Sequence, residues 1–122
     1  MDTLKLGSVS LDCDDPAALA RFWAELLGGE VAFESDDFVA VRLANVWLST
    51  VRVAGYQPPA WPTGSPPKQI HLDLAAADLD TAQALAVAKG ARVADEQPEP
   101  SRWRVLLDPA GHPFCISSQI PD

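Results

Sequence analysis

The stretch QIHLDLAAADLD (69–80) places His71 and Asp73 two positions apart in a segment whose alternation reads as a β-strand. Side chains two apart on a strand share a face, about 7 Å from one to the next. An imidazole beside a carboxylate suits general acid–base chemistry, because histidine titrates near neutral pH. Imidazole is also a metal ligand. A later segment, FCISS (114–118), carries Cys115, which would be a nucleophile if His71 lowered its pKa. His71, Asp73 and Cys115 are therefore the catalytic candidates. Each also has an ordinary role, the histidine as a structural hydrogen-bonding group and the cysteine as a small packing residue. His112 lies in DPAGHPF, where the turn chemistry of DPAG explains the bend without catalysis, and it reads as structural.

The elements that must position these residues repeat. SVSLDCDDPAALARFWAELLGGEV aligns with HLDLAAADLDTAQALAVAKGARV when Ser8 is set over His71. Each copy has an alternating strand, then an aspartate seven positions on (Asp15, Asp78) that suits a helix cap. Pro16 fits the first helical position. Leu19, Phe22, Trp23 and Leu26 make one helix stripe, and Leu79, Ala82, Leu85 and Ala86 the other. Gly28 and Gly90 suit the helix ends. Three strands are expected after each helix: 30–34, 38–44 and 46–53, then 91–95, 103–108 and 114–118. Between the halves, GYQPPAWPTGSPPK (55–68) holds five of the eleven prolines, which excludes a central strand or helix and predicts a semi-rigid extended linker.

Alternation divides the strand faces. Val9, Leu11 and Cys13 oppose Ser8, Ser10 and Asp12. Ile70, Leu72 and Leu74 oppose His71, Asp73 and Ala75, and Phe114 and Ile116 oppose Cys115 and Ser117. The apolar faces must pack on the helices. The small polar faces could line a wet concavity or lie open to solvent, as antiparallel sheets allow. Trp47 shares a face with Ser49, and Trp103 adjoins the 97–102 loop. With Tyr56 and Trp61 they could wall a flat or cationic ligand. Alternatively, Tyr56 and Trp61 pin the linker. Arg42 and Arg104 are rim candidates for an anionic group, or surface residues. The expected ligand-binding set is Ser8, Ser10, Asp12, Arg42, Trp47, Ser49, His71, Asp73, Trp103, Cys115 and Ser117.

A chain of 122 residues fits one domain and needs no disulfide staple. Cys13 and Cys115 form no CxxC pattern and read as free thiols. A net charge of −8 argues against nucleic acid, which requires a basic face, and it would steer a cation or simply aid solubility. No apolar run reaches a membrane-spanning length, and the N-terminus has no apolar signal core, so a cytoplasmic protein is expected.

The paired β-α-β-β-β plan, DDPAALARFWAELLGG, IHLDLAAADLDTA and DPAGHPF together resemble the vicinal oxygen chelate superfamily. GYQPPAWP and QPEPSRWRVLLDPAGHPFCIS resemble its small bacterial glyoxalase-like domain proteins. The resemblance implies an α+β fold with two tandem βαβββ modules (1–54 and 69–122, joined by 55–68). It implies a curved, cup-like, mostly antiparallel sheet with helices on its outer face, and a homodimer. Metal-using members take ligands from the first and last strand of each module. Here the first-strand position holds Ser8, the fifth-strand position His71 and the last-strand position Cys115, and VWLSTVRV contains no Asp, Glu or His. No metal or other cofactor is therefore expected. The leading expectation is a metal-free small-molecule binder of the bleomycin-resistance type for an apolar or cationic organic compound. The rival is a lyase or isomerase acting on a small carbonyl compound, with His71 as acid–base. A bare dimerisation module is a third reading. Neither nucleic acid nor membrane is an expected partner.

Overall fold

A computed structural model describes residues 3–121. It has two compact units, Met1–Tyr56 and Gln57–Asp122. The first contains β1 (Ser8–Cys13), α1 (Pro16–Leu27), β2 (Glu30–Glu34), β3 (Phe38–Arg42) and β4 (Trp47–Arg52). The second contains β5 (Leu72–Ala75), α2 (Leu79–Lys89), β6 (Arg92–Val93), β7 (Trp103–Leu107) and β8 (Pro113–Ser117). Each unit is thus a βαβββ module with one helix and one open four-stranded sheet, ordered β1-β4-β3-β2 and β5-β8-β7-β6. The first strand of each sheet pairs parallel to the last, and the other pairings are antiparallel. No helix among the described residues is long and apolar enough to cross a membrane.

The helices start and stop where local chemistry directs. Asp15 accepts from Ala18 N at 3.2 Å, Pro16 follows it, and Gly28 ends α1 in the left-handed conformation. Asp78 accepts from Thr81 N at 3.0 Å. Gly90 ends α2 at φ 127°, ψ 2°, a positive φ outside the left-handed helical well, so the two stops differ in detail. The α1 stripe is realised: Leu19, Phe22 and Trp23 are at most 2% exposed, and Phe22 and Trp23 meet edge to face at 5.2 Å. They pack over Val39, Val41 and Leu48 of the sheet. Thr50, buried among them, donates to Pro16 O at 2.8 Å and ties β4 to the start of α1. The α2 stripe is narrower than its spacing suggests. Leu79 and Ala86 are buried, but Leu85 is 48% exposed. Apolar residues are spread round α2, so periodicity does not select a single face. Ile70 departs from its expected apolar face and is 72% exposed, because the strand begins only at Leu72.

Two irregular segments support the second sheet. β6 is two residues long, and beyond it the Gln97 side chain adds to the Ala94 N–H···O=C Val105 backbone bond of 3.0 Å. The Gln97 amide donates to Ala94 O (2.9 Å) and Val105 O (2.8 Å), and it accepts from Val105 N (2.9 Å). The proline-rich segment is not extended. It doubles back, with Ala60 N donating to Pro66 O at 2.7 Å and Ala60 bridging to Pro67. It packs on the DPAGHP turn: a Cβ on Gly111, which has φ 86°, would lie 2.7 Å from Pro58 Cβ. Only glycine satisfies both the turn and that close approach. Asp108, 4% exposed, builds the turn by accepting from the backbone N–H groups of Ala110 and His112, each at 2.9 Å.

Candidate functional site

The strand registers place the polar residues of the first unit in rows across β1-β4-β3-β2. Ser8, Trp47, Arg42 and Glu30 form one row. Ser10, Ser49, Ala40 and Phe33 form the next, and Asp12, Val51 and Phe38 the third. The pairing slips between Val31 and Phe33, so Ala32 is an extra residue in β2. This bulge turns Phe33 onto the row face, which alternation from Glu30 would deny it. Residues of these rows, with Ala32, line an open groove of about 610 Å³, walled by Ser8, Ser10, Ala32, Phe33, Phe38, Ala40, Arg42, Trp47 and Ser49. That size lies in the usual range for small-molecule sites. The groove is polar at one end and apolar at the other. Ser8 Oγ and Ser49 Oγ are 3.3 Å apart, and the Phe33 and Phe38 rings are 6.1 Å apart. The Arg42 guanidinium lies 4.8 Å from the Trp47 ring centroid and donates from Nη1 to Glu30 Oε1. This ion pair is mostly exposed, at 54% and 68%, and a pair of that kind contributes roughly 0–1 kcal/mol.

Five of the expected ligand-binding residues meet in this groove: Ser8, Ser10, Arg42, Trp47 and Ser49. Asp12 falls in the third row, outside the lining. Phe38 and Ala40 share strand parity with Arg42 and could have been found by extending its alternation along β3. Phe33 could not, because only the bulge brings it there.

The other expected residues belong to the second unit. His71 lies just before β5 rather than within a strand. Its Nε2 is 3.1 Å from Asp73 Oδ1, and Lys68 Nζ is 3.3 Å from its Nδ1. An ammonium only donates, so with a neutral ring Nδ1 accepts and Nε2–H points to Asp73. The sequence held no signal for Lys68, which lies in the proline-rich segment. Asp73 pairs with Cys115 across β5 and β8. Burial, then the Asp73 charge, then a hydrogen bond with Asp73 push the Cys115 thiol up to about 11. A thiol pushed up in this way favours its neutral form near pH 7, which does not itself activate Cys115 as the nucleophile considered from sequence. Ser117 and Trp103 form the next row with Ala75, and Ser117 Oγ accepts from Gln119 N at 3.0 Å. Arg104 has opposite parity. It pairs with Asp80 at 3.0 Å and Gln83 at 3.0 Å on α2, so it is not a rim residue of this face.

The ligating atoms of His71, Asp73 and Cys115 all lie within 4.8 Å of one another. Imidazole, carboxylate and thiolate make a zinc-type donor set. These three residues would hold such an ion, which would supply Lewis-acid polarisation of a bound oxygen. Holding it requires a proton from Cys115 and release of Nε2 from Asp73. In the first unit the pairing Ser10↔Ser49 corresponds to Asp73↔Cys115, so neutral Ser8 and Ser49 occupy the counterpart positions.

Two βαβββ modules are the architecture that the resemblance to the vicinal oxygen chelate superfamily implied. Within it, residues 8–117 match the family model described as a glyoxalase-like domain, and the chain belongs to that family. No curated protein matches in sequence. Among solved structures, the chain is similar to the fosfomycin resistance protein FosX of Listeria monocytogenes, an E126Q mutant complexed with Mn(II) and 1S,2S-dihydroxypropylphosphonic acid. The TM-score is 0.72 at 15% identity, over 98% of this chain and 93% of that one. It is also similar to a glyoxalase/bleomycin resistance protein/dioxygenase family enzyme of Burkholderia phytofirmans PsJN (TM-score 0.69, 19% identity, 93% and 97% covered). A glyoxalase-related enzyme of Fulvimarina pelagi aligns with TM-score 0.66 at 21% identity, over 93% and 86%. These likenesses establish the fold.

Proposed function

We propose that this protein binds a small organic molecule in the groove of its first unit, and that this binding needs no metal. The observation that supports the reading is the groove itself: an apolar wall of Phe33, Phe38 and Ala40 beside three serines, with no carboxylate or imidazole among the lining residues. Of the two ligand types expected from sequence, the apolar one suits it better. The Trp47 ring, which would attract a ligand cation, is already covered by Arg42. Tryptophan fluorescence across a panel of aromatic compounds tests this, with Trp47→Phe separating Trp47 from the other three indoles. Saturable quenching that is lost in Trp47→Phe and survives dialysis against a chelator is expected. No response from any compound, or binding that disappears with chelation, would overturn it.

One observation favours a second reading. The hydrogen-bonded chain Lys68–His71–Asp73 fixes an imidazole tautomer, as acid–base work on a small carbonyl compound would require. Turnover that survives chelation and is lost in His71→Ala would favour this enzyme over the binder. A homodimer and a cytoplasmic setting are proposed alongside, from the superfamily resemblance and the sequence respectively.

A further inference from the structure

Resting on the reading of the groove as a ligand site, we infer that its ligand class is an organic anion: a single carboxylate-like head at Arg42 and a flat apolar body against Phe33 and Phe38. Arg42 is the charged residue of the groove lining. Its guanidinium carbon lies over the Trp47 ring, 4.8 Å from the centroid, which places positive charge where a cationic ligand would otherwise stack. That contact with the indole restricts the rotamers of a side chain that lines the groove. Glu30 engages it at Nη1 from the outer end of the row, and both side chains are more than half exposed. A guanidinium has five N–H donors, so one carboxylate contact leaves others for a ligand head. Ser8 stands in the same row as Arg42, and its hydroxyl can rotate to donate to that head.

The geometry also sets the body. Phe38 lies four residues along β3 from Arg42, roughly 13 Å at strand rise. That span fits a fused bicyclic ring with its head at the Arg42 row. The chain's net charge of −8 opposes any anion at long range. Charges beyond about 8 Å are largely screened at physiological salt, whereas the guanidinium would touch the ligand directly. The local contact therefore decides the preference.

Three probes with one ring system test this: 2-naphthoate, 2-naphthamide and 2-naphthylmethylammonium, titrated by calorimetry and by Trp fluorescence. Naphthoate is expected to bind at least about ten-fold more tightly than the other two, as one charge-assisted contact implies. In Arg42→Gln, with folding checked by circular dichroism, naphthoate falls to the affinity of the amide. In Glu30→Gln, which frees the guanidinium, naphthoate tightens several-fold while the amide does not. Ammonium binding as tightly as naphthoate overturns the inference but leaves the groove as a ligand site. So does a naphthoate preference that persists in Arg42→Gln. Failure of all three probes to bind overturns the groove reading and this inference with it.

Discussion

At the residue scale, Asp73 decides what its neighbours can do. Its carboxylate accepts a hydrogen bond from His71 Nε2 at 3.1 Å and, after burial, is the main reason the Cys115 thiol is raised to about 11. The thiol is held in its neutral form, so alkylation by iodoacetamide at Cys115 is expected to reach half its maximal rate only well above pH 9. Asp73→Asn removes the negative charge and is expected to move that midpoint down. Peptide-resolved mass spectrometry separates Cys115 from Cys13, which is also raised, first by burial. The linkage has a matching sign. A folded-state pKa raised from 9.0 contributes stability that is present below pH 9 and lost as pH rises through about 11. The sequence showed His71, Asp73 and Cys115 as chemistry-bearing residues. It did not show that the carboxylate would hold the thiol neutral, because that requires the register Asp73↔Cys115.

At the element scale, side chains complete what the backbone leaves unfinished. Gln97 adds to the strand pairing beyond β6, making three bonds with Ala94 and Val105. Gln97→Ala strips the Val105 N–H of its Gln97 acceptor, while the Val105 C=O keeps the Ala94 N–H, and Val105 is 2% exposed. A loss of about 1–3 kcal/mol in denaturant unfolding is expected, with faster hydrogen exchange at the Val105 amide. No local signal predicted this role, since glutamine in a proline-rich loop looks like surface. Helix boundaries were far more legible, because Asp15, Pro16 and Gly28 act within one turn of chain. The bulge at Ala32 was not legible. A bulge satisfies the partner strand's register, and β3 lies outside the window in which alternation is read.

At the scale of the whole molecule, both units repeat one plan and differ in what the plan carries. The first presents hydroxyls, aromatics and one guanidinium, and the second an imidazole, a carboxylate and a thiol. The overall charge of −8 acts on anything that approaches. For 2-naphthoate, stopped-flow association is expected to speed up as salt is raised from low to physiological concentration, because screening weakens the long-range repulsion. A rate that falls with salt would mean that the Arg42 field dominates the approach.

The sequence by itself determined the two β-α-β-β-β modules, the α1 core stripe, the helix caps and the polar strand faces. These follow from periodicity and short-range hydrogen bonding, which a linear pattern records. Only the tertiary structure decided that Phe33 joins Trp47 and Ser49 in one groove, that Arg42 covers the Trp47 ring, and that Arg104 turns to α2. It likewise decided that Lys68 reaches His71. Each of these depends on which strands or segments become neighbours and in what register, a choice made by packing across the sheet.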